Sequence, residues 1–148
     1  MVEQPDAKNY WRMMNMDPRL ADFSSNQPAE GNHFAEVEAH FRCRLPSQYR
    51  LFMSDRDGGE GFVGGQYLIL WRASELLEFN REYEVEKYAP GLLLFGSNGG
   101  GEAFAFDTRE VSVRIVMVPF IGMSLKDAAP VADSFENFLS SLADGTLT

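Results

Sequence analysis

The chain has 148 residues, of which 45% are hydrophobic and 24% are charged, so it can bury the core of one domain. It has 13 basic and 22 acidic residues, and the resulting net charge of −9 argues against binding to nucleic acid or to an anionic membrane. A single cysteine, Cys43, excludes an internal disulfide framework and fits a reducing compartment. The N-terminus does not resemble a signal peptide and no apolar run approaches about 18 residues, so we expect a cytoplasmic protein without a membrane segment.

The negative charge is concentrated in the second half of the chain. Residues 1–74 have 10 acidic and 8 basic side chains, a net charge of −2. Residues 75–148 have 12 acidic and 5 basic side chains, a net charge of −7. A partner that recognises the charge of this protein would therefore be basic and would bind mainly to the second half.

The first 30 residues form the least regular part of the sequence. Pro5, Pro18 and Pro28 interrupt any long helical pattern, although residues 10–16 could form a short helix. We therefore expect residues 1–30 to be a partly ordered N-terminal extension. Residues 31–148 are expected to form a single domain.

Two helices are predicted at the start of this domain. Apolar side chains recur with helical spacing from Phe34 to Leu45. Pro46 suits the first turn of a second helix, which the glycines after Asp57 should end. A hairpin or bent strand pair is then predicted around the Gly64-Gly65 dipeptide.

The remaining pattern alternates helix and strand. A helix is predicted from Ala73 to about Tyr88, with Ser74 as its cap. Short strands are expected at residues 92–95, 103–106 and 113–118. A closing helix should follow the Asp133-Ser134 pair, with Glu136 completing a capping box from Asp133. This order, with its short connections, predicts an α+β fold with a mostly antiparallel sheet and helices around it.

A glycine-rich segment, GSNGGGE at residues 96–102, allows two interpretations. Bare backbone amides can bind a phosphate, but that motif needs Lys-Ser/Thr and a helix after the glycines. Here Glu102 and a strand follow instead. We therefore interpret the segment as a tight turn, in which four residues supply the backbone conformations that the turn requires: Asn98, Gly99, Gly100 and Gly101.

Two groups of residues before Leu45 have the residue types that metal or thiol chemistry requires. His33, Glu36 and His40 have a spacing that would bring them to one side of a helix and could ligate a divalent metal. The chain has no third histidine, so an ordinary amphipathic helix explains them as well. Cys43 lies three residues after His40, but a packed cysteine is the simpler interpretation. The sequence assembles no acid, base and pocket, so we expect no enzyme activity, no cofactor and no metal.

Carboxylates are frequent in the predicted helix that begins at Ala73. Their spacing would align three of them along one face, and two more follow: Glu75, Glu78 and Glu82, then Glu84 and Glu86. A solvated face explains such a run in many proteins. The alternative is that these five residues form the docking surface for a basic partner.

Three motifs, in order along the chain, resemble those of the SUKH superfamily, which is named for fungal cell-wall regulators of the Smi/Knr type. LPSQYRLFM at residues 45–53 followed by DGG at 57–59 resembles its opening motif, although Asp57 stands where Asn is more usual. LLFGSNGGGE at 93–102 followed by FAFD is similar to its central motif. SFENFL at 134–139 resembles its closing helix.

The resemblance implies an α+β domain that binds other proteins. Many bacterial members look like immunity proteins that neutralise a cognate toxin, often a nuclease, whereas eukaryotic members resemble intracellular scaffolds. No catalytic residues are implied, and the glycine turn at residues 98–101 becomes a fold-defining element. We therefore expect a non-enzymatic immunity protein that binds its toxin through an acidic surface, with a scaffold or regulatory domain of the Smi/Knr type as the alternative.

Overall fold

The computed structural model describes residues 17–147. The short helix considered at residues 10–16 lies outside this range. Within it, the α-helices are α1 (Phe34–Phe41), α2 (Ser47–Asp55), α3 (Leu76–Glu82), α4 (Val85–Tyr88) and α5 (Phe135–Asp144). The strands are β1 (Phe23–Ser25), β2 (Gly59–Val63), β3 (Gln66–Leu70), β4 (Leu92–Ser97), β5 (Glu102–Asp107), β6 (Arg114–Pro119) and β7 (Ala129–Ala132). Short 3-10 helices cover Pro18–Leu20, Ala73–Glu75 and Leu125–Asp127.

The strands form one seven-stranded sheet in which their order in space follows their order in the chain. Every neighbouring pair is antiparallel. Such a meander arises when each strand is joined to the next by a short connection or a small helical insertion. The predicted α+β fold with an antiparallel sheet is therefore confirmed.

Aromatic side chains fill the centre of the core. Tyr49 of α2 is fully buried, and its ring lies 4.9 Å from Phe106, 5.4 Å from Phe135 and 5.7 Å from Phe95, measured between centroids. Phe138 of α5 continues this cluster against the sheet. Helices α2 and α5 are thus held to the sheet by interlocking rings, whose edge-to-face contacts add specificity to the apolar burial.

The shortest strand pairing in the sheet is between β3 and β4. Only two residue pairs join these strands, Ile69 with Ser97 and Leu70 with Gly96, and the register of β4 shifts between Leu94 and Gly96. A Cβ atom on Gly96 would collide with the carbonyl oxygen of Ile69, so the close approach of the two strands requires glycine here. Leu94 therefore lies beyond the part of β4 that β3 can cover.

The predicted helix from Ala73 to Tyr88 is wrong in its continuity. The chain forms a 3-10 turn, then α3, and then α4 after a break at Glu84, which adopts a left-handed conformation with φ 52°. Ser74 does not cap this segment, because it lies inside the 3-10 turn, and the N–H of Ala73, the first residue of the turn, donates to the carboxylate of Asp57 at 2.9 Å. The break ends α3 at Glu82 and α4 begins at Val85.

The closing helix is confirmed, but its predicted capping box is wrong. Ser134 caps α5, since its hydroxyl accepts a hydrogen bond from the N–H of Asn137 at 3.1 Å. Glu136 does not turn back to Asp133. Its carboxylate instead binds the guanidinium of Arg19 at 3.0 Å.

Residues 17–30, within the predicted extension, contribute directly to the fold. They include the edge strand β1, and Leu20 and Phe23 are buried in the core. Arg19 binds Asp17 at 2.6 Å and reaches α5 through Glu136 and the hydroxyl of Ser140. The division of the chain at residue 30 stays a prediction.

No helix found within residues 17–147 is long and apolar enough to cross a membrane.

Candidate functional site

Helix α3 is fixed to the sheet by a buried polar side chain, Asn80. Its carboxamide donates to the carbonyl oxygens of Leu76 at 2.8 Å and Leu94 at 2.9 Å, and it accepts a hydrogen bond from the N–H of Leu94 at 2.9 Å. Asn80 thus provides hydrogen-bond partners for the N–H and the carbonyl oxygen of Leu94, at a position of β4 that does not pair with β3. Since a buried backbone group without a partner is costly, these bonds define where α3 lies.

Two of the predicted glutamates lie on the exposed face of α3. Glu78 and Glu82 are exposed, one helical turn apart, whereas Leu76 and Asn80 are buried on the opposite face. At 100° per residue, Arg81 lies on the flank of the helix away from Phe79. Glu78 and Glu82 therefore form a small acidic face. Phe79 lies on one side of this face, and Arg81, the basic residue of α3, lies on the other side.

The other three predicted glutamates lie elsewhere. Glu75 is half-buried and its carboxylate binds the backbone N–H of Arg72. Glu84 and Glu86 are exposed, but they line an open cavity of about 250 Å³ together with His40 and other residues of α1, α3 and α4. The basic side chains of Arg81 and Lys87 line the same cavity. The structure thus divides the five glutamates between the face of α3, a backbone contact and a cavity of mixed charge.

Beside the acidic face lies an apolar patch, which we define as Trp71, Phe79, Tyr83, Phe120 and Ile121. Tyr83 is 41% exposed and Ile121 is 93% exposed. The ring of Tyr83 lies 4.6 Å from that of Phe120 and is stacked on that of Trp71 at 6.3 Å, with 11° between the ring planes. Aromatic side chains fixed in this way present a rigid surface.

Sequence reasoning did not find this patch. Phe79 and Tyr83 have the spacing of residues on the buried face of a helix, and Ile121 follows Phe120 in a connection without a clear pattern. The available signal was the pair of large apolar residues directly before a glycine in a connection, as in FIGMS at residues 120–124. The partnership of Trp71 with Phe120, which are far apart in the chain, required the fold.

The glycine-rich segment forms the turn between β4 and β5. The side-chain oxygen of Asn98 accepts hydrogen bonds from the N–H groups of Gly100 at 2.8 Å and Glu102 at 3.2 Å. The hydroxyl of Ser97 accepts one from the N–H of Gly99 at 3.1 Å. Three of the amides that a phosphate would need are therefore already bound within the turn, and the carboxylate of Glu102, a further obstacle to an anion, lies at its end.

The four residues predicted to define the turn have different roles. Gly99 and Gly101 have positive φ angles of 75° and 100°, a conformation that favours glycine. Gly100 does not have a positive φ, and a Cβ atom there would meet only the side chain of Asn98, at an ordinary contact distance. Asn98 acts through its side chain rather than through its backbone conformation.

The turn and the apolar patch belong to one end of the sheet. Glu102 pairs with Pro119 at the end of β6, and the N–H of Phe120 donates to the carbonyl oxygen of Gly101 at 3.0 Å. This bond places Phe120, and with it Ile121, beside the turn. The exposed glycines of the turn and Phe120 of the apolar patch therefore adjoin one another.

The histidine and cysteine candidates do not form a reactive site. His33 precedes α1, whereas Glu36 and His40 lie within it. Among residues 17–147, no three His, Cys, Asp or Glu side chains lie close enough together to hold a metal ion. Burial, with a smaller contribution from Glu38, raises the pKa of the Cys43 thiol, which is the opposite of what a nucleophilic thiolate needs.

A second open cavity, of about 310 Å³, lies between the start of α1 and the end of α2. Arg50 lines it, and the buried Nε atom of this residue has no hydrogen-bond partner in the described structure. Asp57 also lines it, with one carboxylate oxygen accepting from the N–H of Ala73 at 2.9 Å. Asp57 therefore joins the end of α2 to the segment that leads into α3.

Comparison with known proteins agrees with this architecture. No curated protein matches the sequence. A family model does match, and it covers residues 28–141, from just after β1 to within α5. That span includes the opening, central and closing motifs of the sequence, as well as the turn and the apolar patch. The chain belongs to the SMI1/KNR4 family, SUKH-1.

Proposed function

We propose that this domain is a non-enzymatic immunity protein, which binds and neutralises a cognate toxin and acts in the cytoplasm of the cell that needs protection. Membership of the family supports a role in binding other proteins. The observation that carries the proposal further is the acidic face formed by Glu78 and Glu82, on a helix that Asn80 holds rigidly to the sheet. A preformed charged face binds without the entropy cost of ordering a loop.

The proposed partner is a toxin with a basic active surface, as a nuclease has. An enzyme that cleaves nucleic acid must attract polyphosphate, so its substrate channel is rich in lysine and arginine. A protein with a net charge of −9 is attracted to such a channel at long range, and the acidic face then orients the encounter. Occupying the channel would block the substrate without any chemical step.

Co-expression with the neighbouring open reading frame tests this proposal. We expect that gene to encode a toxin, whose expression alone arrests growth, and we expect the present protein to restore growth and to co-purify with it. An active-site variant of the toxin, which is harmless, serves as the control for expression. Growth arrest that persists despite soluble expression of both proteins would overturn the proposal.

The same family also supports a scaffold or regulatory domain of the Smi/Knr type, and the gene neighbourhood separates the two functions. An immunity protein is useful only together with its toxin, whereas a scaffold has no such requirement. A genome that places no toxin-like gene beside this one would favour the scaffold.

A further inference from the structure

We propose that the apolar patch is the anchoring centre of the interface with the partner, and that it receives an apolar side chain from a protein surface rimmed with lysine and arginine. This inference rests on the proposed function. It assigns the binding energy to Tyr83 and Ile121 and leaves the glutamates mainly to guide association.

The exposed residues of the patch are unusually large and apolar for a surface. Ile121 is 93% exposed, and Tyr83, although it packs on two rings, still presents 41% of its surface. Removing a side chain as exposed as Ile121 from water is favourable, because the burial of apolar surface stabilises a complex. Apolar and aromatic residues grouped in this way at the surface are typical of interface centres.

The aromatic part of the patch is also rigid, which lowers the cost of binding. Trp71 is only 8% exposed and supports Tyr83 from below, while Phe120 contacts Tyr83 from the side. The N–H of Phe120 is bonded to Gly101, which fixes the backbone next to Ile121. A surface that is already ordered loses little entropy on binding.

The charges around the patch specify the partner. Glu78 and Glu82 are exposed on α3, and Glu82 directly precedes Tyr83 at the end of that helix. Arg81 faces the cavity that contains His40, on the other flank of the helix. A basic protein surface complements this rim, whereas a second copy of the chain would bring two acidic rims together.

Matched substitutions of exposed residues test the inference. The probe is the purified protein encoded by the neighbouring open reading frame, and binding rates are measured with the full chain. We expect Ile121→Ser and Tyr83→Ala each to weaken binding about tenfold or more, mainly through faster dissociation. Tyr83→Phe, which keeps the ring, should bind nearly as well as the wild type.

Val111→Ser is the control for Ile121→Ser. Val111 is fully exposed in the connection between β5 and β6, at the opposite end of β6 from Ile121 and about 20 Å away. It should not affect binding. Because Ile121 and Val111 barely contact the rest of the molecule, both variants should keep the unfolding free energy of the wild type.

The outcomes separate this inference from the proposed function. A tight complex that Ile121→Ser and Tyr83→Ala do not weaken would overturn the inference and leave the immunity function intact. Failure of the wild-type protein to bind the toxin would overturn both. A patch that instead mediates self-association, shown by sedimentation of a dimer that Ile121→Ser dissociates, would overturn the assignment of the partner.

Discussion

At the scale of single residues, the carboxamide of Asn80 takes the place that a neighbouring strand would occupy beside Leu94. Its three hydrogen bonds lie in the core, where water cannot replace them. An asparagine in the middle of an amphipathic helix would ordinarily be assigned to the solvent. Its role depends on the short pairing of β3 with β4, which no local pattern reveals.

The substitution Asn80→Leu should therefore destabilise the protein strongly. Leucine has a similar volume but leaves the N–H and the carbonyl oxygen of Leu94 buried without partners, at a cost of about 3 kcal/mol in the free energy of unfolding. Urea denaturation measures this loss. Glu78→Gln on the exposed face of the same helix is the control, and it should change the stability by less than about 0.5 kcal/mol. Equal stabilities of the two variants would contradict the role assigned to Asn80.

The glycine turn supplies a second matched pair of substitutions. Gly101 has a φ of 100°, so Gly101→Ala should lower the unfolding free energy by about 1 kcal/mol, although space for a methyl group exists. Gly100 has no positive φ, so Gly100→Ala should be nearly neutral. Thermal denaturation of both variants decides this, and a larger loss for Gly100→Ala would show that the turn is held in another way.

At the scale of elements, the sequence predicted those with a strong local pattern and missed those that depend on their neighbours. Helices α1, α2 and α5 and strands β4, β5 and β6 follow apolar periodicity. The edge strands β1 and β7 are short and largely exposed, and β7 contains Pro130, so they lack that signal. The break at Glu84 was missed because its left-handed conformation occurs in a residue that ordinarily favours helix.

Only part of the candidate site could be predicted from the sequence, for the same reason. The sequence located the acidic residues and predicted that Glu75, Glu78 and Glu82 share one helix face. In the structure Glu75 instead binds the backbone N–H of Arg72, and only Glu78 and Glu82 lie on the exposed face of α3. The apolar patch combines residues that follow β3, lie on or directly after α3, and follow β6. Local periodicity cannot report such a combination, since it contains no information about which elements meet.

The contact between residues 17–20 and α5 should make stability depend on acidic pH. Burial raises the pKa of Asp17, but its hydrogen bonds with Arg19 and the charge of Arg19 lower it further, so the net pKa lies below the ordinary value of 3.8. The unfolded chain therefore binds more protons than the native state near that value. Asp17 therefore makes its full contribution to the free energy of unfolding above about pH 4, and this contribution is lost as the pH falls through the lowered pKa.

Arg19→Met tests this contact. At neutral pH the variant should lose about 1 kcal/mol of unfolding free energy, because three partly exposed polar partners lose their donor: Asp17, Glu136 and Ser140. Below pH 4 its stability should fall less steeply than that of the wild type, as measured by urea denaturation at several pH values. Lys126→Met, on an exposed 3-10 helix, controls for the loss of one positive charge. Parallel pH profiles for wild type and Arg19→Met would contradict the assignment.

At the scale of the whole molecule, net charge and local charge make different predictions about association. A net charge of −9 attracts any basic protein, whereas the acidic face of Glu78 and Glu82 acts only on a partner that docks beside α3. These two residues are better suited to substitution than Glu75, whose carboxylate holds the backbone of Arg72. Changing them tests electrostatics without disturbing the fold.

The pair Glu78→Lys and Glu82→Lys should slow association with the toxin about tenfold at low salt and make the rate less dependent on salt concentration, with little change in dissociation. A second pair, Glu30→Lys and Glu110→Lys, also converts two exposed acids to bases, so both proteins have a net charge of −5 instead of −9. Stopped-flow association at several salt concentrations compares them. A greater effect of the first pair would show that the toxin approaches the face of α3, because net charge is equal in the two variants. Equal effects would mean that only the overall charge attracts the toxin, and the docking surface would then lie away from α3.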